Sequence, residues 1–305
     1  MSMRETMSLS VVIAAFDAEP FLAAALDSVL REVPRDVEVI VVDDGSRDGT
    51  AGVLAGYGER IRVLRNAQPS GPGPARNQGA QAASGAILAF HDADDLVLPG
   101  RFSALQEVLE AAPEIDLVFA NGIRCDDEAR PLGRIISRRH AGRLARRCGL
   151  REMLGGGVLY PQALSIRRAR FWEMGGFMAE RGEDWDFALR ASLRLRMAFV
   201  DRPVFAYRRH PGGVTAHRRH YAEVLVEVLE RFVAGHPGLE QHVSAAVLDR
   251  ARASQFARCA RLRLEDSDRP AALEAWARAI ELAPLKLRYR WRRWLAASSS
   301  MRVSR

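Results

Sequence analysis

Apolar positions along the chain switch between two rhythms. Short runs rich in β-branched residues, at 10–15, 37–42, 61–64, 86–90 and 115–119, read as buried strands. Helical spacing lies between them. Residues 19–31 place Phe21, Leu22, Ala25, Leu26, Val29 and Leu30 on one face. A turn over 43–50 leads into another helix, and 74–83 and 99–111 read as two more. Strands alternating with helices predict an α/β domain with a mostly parallel sheet and right-handed crossovers. Ligands of such sheets gather beyond the carboxyl ends of the strands.

The rhythm is lost from 121 to 165 and returns as helix from 221 almost to the end. Residues 271–284 have the small-residue spacing and closing Leu-Ala-Pro of a tetratricopeptide helix, but one copy cannot build a solenoid. The pattern divides the chain into a domain over 8–218 and a helical extension over 219–305.

Composition changes this picture little. With 48% hydrophobic and 27% charged residues the chain reads as an ordinary globular protein. No apolar run approaches the roughly 18 residues of a membrane span, and the run at 9–16 lacks a signal-peptide cleavage pattern. A cytoplasmic protein is expected, with peripheral attachment at the inner membrane face as an extension of that reading. Cys125, Cys148 and Cys259 are far apart and match no zinc spacing, so they read as reduced thiols. The net charge of +7 is carried almost wholly by arginine, Lys286 being the one lysine, and it concentrates after residue 130. Such a basic half suits an anionic membrane surface or an acidic acceptor as well as nucleic acid. No nucleic-acid recognition motif accompanies it, so no nucleic-acid partner is expected.

The candidate chemistry lies just past the strands. The first is followed by Ala14-Ala-Phe16-Asp17, the second by Asp43-Asp44-Gly45-Ser46, and the fourth by His91-Asp92-Ala93-Asp94-Asp95. Carboxylates gathered at one sheet edge repel and raise one another's pKa. A divalent cation relieves that repulsion, and Mg²⁺ or Mn²⁺ keeps positions open for phosphate oxygens.

Several motifs in order resemble glycosyltransferase family 2, with its A-type glycosyltransferase (GT-A) fold. They are Val42-Asp-Asp-Gly-Ser46, Gly73-Pro-Ala-Arg-Asn-Gln-Gly79 and Phe90-His-Asp-Ala-Asp-Asp-Leu-Val-Leu-Pro99. Further on come Ser165-Ile-Arg-Arg-Ala-Arg-Phe-Trp-Glu-Met-Gly-Gly-Phe177, Gly182-Glu-Asp-Trp-Asp-Phe187 and Tyr207-Arg-Arg-His-Pro-Gly-Gly-Val-Thr215. The resemblance covers about residues 9 to 216. It implies an inverting, metal-dependent transferase that moves a sugar from a nucleotide-diphosphate sugar, UDP-linked, to a hydroxyl of a glycan or glycolipid in cell-surface synthesis. It implies that Ala14 takes part in substrate binding, that Phe16 lies against the base, that Asp44 accepts a hydrogen bond from the base, and that Arg76 approaches the donor. Asp92 would meet the ribose or the metal, Asp94 would ligate Mn²⁺ or Mg²⁺, and His210 would add a metal or phosphate contact. Asp184 would be the general base, with Glu183 beside it as a hydrogen-bonding partner or acceptor contact. Phe16 and Asp17 depart from the Asn or Tyr of many relatives, which keeps stacking but loses a hydroxyl contact.

Other readings of the same residues stand beside these. Asp43-Asp44-Gly45 also suits a capped turn, Asp95 and Asp186 suit structural caps, and Trp185 suits the core as well as a sugar ring. A catalytically silent nucleotide-sugar binder and a nucleotidyltransferase are the alternative functions. At the C-terminus, residues 285–295 interleave Tyr, Trp and Arg as at a membrane–water interface. Docking of those aromatics onto the domain is the competing expectation.

Overall fold

The apolar runs pair as the central strands of one sheet. The computed structural model describes residues 7–156, 159–210 and 218–298. They divide into two compact units, Met1–Met153 with Gly157–His210, and Leu154–Gly156 with Pro211–Arg305.

The first unit opens with β1 (Leu9–Ala15), α1 (Glu19–Glu32), β2 (Glu38–Asp43), α2 (Thr50–Ala55), β3 (Arg62–Arg65), α3 (Pro72–Ala82) and β4 (Ile87–Asp92). It continues with β5 (Leu96–Val97), α4 (Arg101–Ala111), β6 (Leu117–Cys125), β7 (Pro131–Arg134), α5 (Arg138–Leu144) and α6 (Leu150–Met153). It ends with β8 (Leu164–Arg167), α7 (Arg168–Glu173), α8 (Glu183–Arg194) and β9 (Met197–Arg208). Among the described residues nine strands form one sheet, ordered β3-β2-β1-β4-β8-β6-β9-β5, with β7 paired to β6.

The β3-β2-β1-β4 half is parallel throughout. Its middle strands are buried on both faces, as their unbroken Val/Ile content requires. The other half is mixed. β8 runs antiparallel to both β4 and β6, β6 is parallel to β9, and β5 is antiparallel to β9. This is the stretch whose sequence lost its rhythm, and the reason is local. β8 has four residues, too few to show a period, and β6 runs on past its apolar part through Asn121 and Arg124, with irregular pairing to β9 at Asn121.

The register sets the site. Ala14 of β1 lies opposite Val42 of β2 on one side and Asp92 of β4 on the other. The carboxyl ends of these three strands therefore finish level, and the acidic turns that follow them share one edge.

The second unit is helical, with α9 (Arg218–Gly235), α10 (Ala245–Glu265), α11 (Arg269–Leu282) and α12 (Leu287–Ser298). Its core is built from small residues, Ala253, Ala257 and Ala260 of α10 against Ala275 and Ala279 of α11, with Trp276 and Tyr289 filling the remaining space. Bidentate Arg252–Glu230 and single Arg263–Glu223 ion pairs join α10 to α9.

Candidate functional site

The turn after β2 is a hydrogen-bonded mesh. Asp43 is fully buried and its Oδ1 accepts from the Ser46 amide at 2.9 Å. Asp44 is buried too, and its carboxylate takes four donors from the segment after β3. These are Asn66 Nδ2 (2.7 Å), the Ser70 amide (2.9 Å), Ser70 Oγ (2.8 Å) and the Gly71 amide (2.8 Å). Asp17 holds a left-handed φ of 46°. Its carboxylate accepts from the Arg47 amide, which ties the β1–α1 loop to the β2–α2 loop. Phe16, next to it, is 49% exposed at this edge, while Ala14 is half-buried within β1.

The turn after β4 stands on a buried cationic base. Arg101 is fully buried and donates from Nη1 to His91 Nδ1 at 2.9 Å and from Nη2 to the Phe90 carbonyl. An arginine can only donate, so His91 carries its proton on Nε2 and gives it to the Asp95 carbonyl at 3.2 Å. Burial, reinforced by Arg101, pulls the imidazole down to about 3, so it is neutral. Asp95 is also buried, accepting from Gln162 Nε2 at 2.5 Å and the Arg208 amide at 2.8 Å. Burial first, then Asp94 and Asp92, hold its carboxyl well above the ordinary range. Asp95 thus braces the turn against β9. Asp94 points outward, with one described partner, His210 Nε2 at 3.1 Å. The His210 ring packs on Phe21 at 4.3 Å.

The acidic element 183–186 forms the first turn of α8. Gly182 starts it with φ 80°, a left-handed cap that suits glycine. Three carboxylates at a helix N-terminus complement its dipole, and each has a different fate. Asp186 pairs with Arg190 at 2.7 Å, and Arg190 in turn donates to the Met174 and Gly176 carbonyls, fixing the preceding turn. Glu183 is buried and meets Arg76 Nη1 at 2.7 Å. Asp184 is half-buried, and its Oδ1 accepts from the Trp185 amide at 2.7 Å. Burial, then the neighbouring Glu183 charge, pushes the Asp184 carboxyl up to about 7.

Arg76 joins the two halves of the site. It is buried, with Nη1 on Glu183 and Nη2 on Asp92 at 2.6 Å. Burial opposes its charge, but the two carboxylates outweigh that and raise it above the ordinary arginine value. The sequence reading placed Arg76 on the donor. The structure places both its terminal nitrogens on carboxylates of this chain. Close packing delivers it there: a Cβ at Gly73, in the first turn of α3, would lie 2.0 Å from the Met178 carbonyl oxygen.

Trp185 lies in the interior, 3% exposed, with its indole nitrogen donating to the Met153 carbonyl at 2.7 Å. That corrects its expected contact with substrate: the ring holds α6 against α8. Residues 211–215 of the last sequence motif lie outside the described residues. Sequence reasoning missed Asn66, Ser70, His91 and Arg101, because no spacing marks a polar residue whose partner is a carboxylate or a ring elsewhere in the fold. Asn77 was also missed. Its side chain brackets Phe177, donating to the carbonyl (2.8 Å) and accepting from the amide (2.9 Å) just ahead of the α8 cap.

Among the described residues no group of three or more His, Cys, Asp or Glu side chains is arranged to hold a metal ion. Asp94 and His210 still offer a carboxylate and an imidazole side by side. Mg²⁺ commonly binds through one or two carboxylates, with water and substrate phosphate filling the rest, and carboxylate oxygen suits Mn²⁺ as well. That donor set fits.

Comparison with known proteins gives the lineage and the fold. A family model described as "Glycosyl transferase family 2" matches residues 10–175. The uncharacterized glycosyltransferase EpsJ of Bacillus subtilis (strain 168) is 28% identical over 219 residues, 68% of this chain and 62% of its own length. The match therefore spans about three-fifths of that relative. Among solved structures, S. aureus TarS 1-349 in complex with UDP-GlcNAc superposes with a TM-score of 0.67 at 19% identity, covering 91% of this chain and 82% of that one. The mannosyltransferase PcManGT from Pyrobaculum calidifontis, in complex with GDP-Man and Mn²⁺, gives 0.62 at 21% identity, covering 95% and 84%. At such identities the likeness establishes the fold, a GT-A α/β sheet with flanking helices and a helical C-terminal region. The sequence match, running through more than half of the chain from β1 past β8, establishes the lineage: this chain belongs to glycosyl transferase family 2.

Proposed function

We propose that the protein transfers a sugar from a nucleoside-diphosphate sugar, with uridine as the nucleoside, to an acceptor hydroxyl with inversion at the anomeric carbon. The observation that carries the reading is geometric: Glu183 is held by the same Arg76 that grips Asp92, which leaves Asp184, next to it in the first turn of α8, as the carboxylate with no hydrogen-bonded cation among the described residues. A base with a pKa near the working pH is the efficient one. Asp184 takes the proton of the acceptor hydroxyl as its oxygen bonds to the anomeric carbon. The bond from that carbon to the diphosphate breaks, and the diphosphate leaves with the electron pair. Phe16 offers its exposed ring to the base, and Asp44 its carboxylate.

Asp94 and His210 are the residues that would hold Mn²⁺ or Mg²⁺, with Asp92 at their side. The ion, when bound, neutralises the charge of the departing diphosphate. The Mn²⁺ in the PcManGT complex and the UDP-GlcNAc in the TarS complex support a cation and a nucleotide-sugar donor here. The acceptor is a glycan or glycolipid hydroxyl, and residues 8–218 carry the reaction.

The test is a release assay. Purified protein is given UDP-sugars or GDP-mannose with Mn²⁺ and candidate acceptors, and the product anomer is read by NMR. Acceptor-dependent release of UDP with an inverted product supports the proposal. Binding without turnover for every donor and acceptor tried would make the chain a silent nucleotide-sugar binder.

A further inference from the structure

The second unit leaves one face of its last helix uncovered in a way the transfer reaction does not use. Tyr289 and Ala296 are the buried residues of α12. Tyr289 docks on Trp276 with ring centroids 5.6 Å apart, and Lys286 and Arg288 lie over its ring at 5.5 and 5.1 Å. At about 100° per residue, Leu287, Trp291 and Trp294 fall within an arc of roughly 60° on the opposite side of the helix. They are 71%, 60% and 62% exposed, and Leu285 just before the helix is 93% exposed. Two tryptophans and two leucines thus stand in water on a helix already anchored through its other face. The sequence left open whether these aromatics dock onto the protein. Tyr289 does, whereas Trp291 and Trp294 stay mostly exposed among the described residues.

Along α12 itself the charge has one sign. Lys286, Arg288, Arg290, Arg292 and Arg293 lie on or beside α12, and no acidic residue follows Glu281. The positive groups are crowded enough to act on one another. Arg261 is held below its ordinary value by burial and then by Arg292, Arg258 and Arg288. Among the described residues no helix is long and apolar enough to cross a membrane.

We propose that the exposed face of α12 docks on an anionic lipid surface, with Leu287, Trp291 and Trp294 in the interface and the flanking arginines on the headgroups. Charge complementarity selects this occupant. Indole rings prefer the boundary between headgroups and acyl chains, and arginine stems lie along apolar surface while their heads reach phosphate. A second copy of the chain would bring the same cationic face and be repelled. An acidic protein would satisfy the arginines without needing two exposed tryptophans. Each basic residue near such a surface is worth about fivefold in partitioning.

The experiment uses the full chain with vesicles of phosphatidylcholine alone or with a quarter phosphatidylglycerol. Co-sedimentation and tryptophan emission are measured without donor, so the result is independent of the proposed reaction. Expected are binding to the anionic vesicles only, a blue shift on binding, and weakening by salt. The W291A/W294A variant, with unchanged melting temperature because neither ring packs on the core, should bind at least tenfold more weakly. R290E should weaken binding several-fold. Equal binding by wild type and W291A/W294A, or no binding to either vesicle, overturns the proposal. So does a wild-type dimer that W291A/W294A converts to monomer without any vesicle binding.

Discussion

Arg76 and Glu183 meet as an ion pair, Nη1 to Oε1 at 2.7 Å, across 107 residues of chain. The pair decides between two adjacent carboxylates. Glu183 is spoken for by a guanidinium, whereas Asp184 has no hydrogen-bonded cation among the described residues and sits near neutrality. Asp184→Asn should therefore lower turnover by about 10²- to 10⁴-fold while leaving donor affinity nearly unchanged. Glu183→Gln should act mainly on stability. Steady-state kinetics and nucleotide titration of both variants check this. The reverse pattern, with turnover lost in Glu183→Gln and kept in Asp184→Asn, would move the base to the glutamate.

The guanidinium itself should be among the costlier side chains to remove. Arg76→Ala leaves Glu183 and Asp92 facing each other with their counter-ion gone, and breaking a buried pair in this way costs about 3–5 kcal/mol. Arg76→Lys should recover only part of it, because one ammonium cannot reproduce a planar fork that spans two carboxylates. Urea unfolding of the three proteins gives the ranking. A change below about 1 kcal/mol for Arg76→Ala would mean that the pair behaves as an exposed one.

A base near neutrality makes a pH statement with a defined sign. Catalytic efficiency should rise with pH through about 7, where Asp184 loses its proton. Stability should respond in the opposite sense. The folded value of Asp184 lies above its ordinary 3.8, so the folded state holds the proton more tightly than the unfolded one. This residue costs nothing at pH below 3.8, lowers stability as pH rises to about 7, and costs a constant amount above that. Asp184→Asn should then melt above wild type at pH 8, with the gap closing toward pH 4. Melting curves across that range test it, and a gap independent of pH would count against a perturbed Asp184.

How much of this was legible beforehand depends on the range of the interaction. The parallel half of the sheet could be read because its middle strands are short apolar runs buried on both faces. Of the mixed half only the start of β6 was read, since the four-residue β8 carries no period and Asp201-Arg202-Pro203 interrupts the apolar positions of the twelve-residue β9. The places of Asp92 and Asp94 at a strand end and of Asp184 at a helix start were legible because motif spacing encodes such boundaries. The Arg76 bridge was not, because its meaning depends on two partners brought in by separate elements. Trp185 shows the same limit from the other side. An aromatic next to a catalytic candidate looks alike in sequence whether it faces a sugar or the Met153 carbonyl.

The proposed metal dependence can be tested at Asp94. Its side chain is 37% exposed and its described partner is a histidine rather than an arginine, so the carboxylate is available to a hard cation. Activity should vanish in chelator and return with Mn²⁺ or Mg²⁺. Asp94→Ala should weaken nucleoside-diphosphate binding in the presence of Mn²⁺ and hardly alter it without. Calorimetric titrations with and without the ion separate these, and full turnover in excess chelator would exclude the ion from the reaction.

Asp44 carries the sharpest test of how the nucleobase is read. A carboxylate offers about four lone-pair sites. Here four donors occupy them: Asn66 Nδ2, the Ser70 amide, Ser70 Oγ and the Gly71 amide. A base N–H can reach Asp44 only by displacing one of these. Uridine nucleotide should therefore loosen the 66–71 segment at the moment it fills the site, and amide exchange at Ser70 and Gly71 should speed up on adding UDP with Mn²⁺. Asp44→Asn replaces one acceptor oxygen by a donor that faces other donors. With bonds to charged groups worth about 1.5–3 kcal/mol each, it should destabilise the fold by about that much and weaken UDP more than ADP. Asn66→Ala spares the carboxylate, so it should cost stability but leave the UDP-to-ADP preference intact. Slower exchange at Ser70 and Gly71 with UDP would show that the segment stays on Asp44 and that the base is recognised elsewhere, leaving Phe16 as the contact to test next.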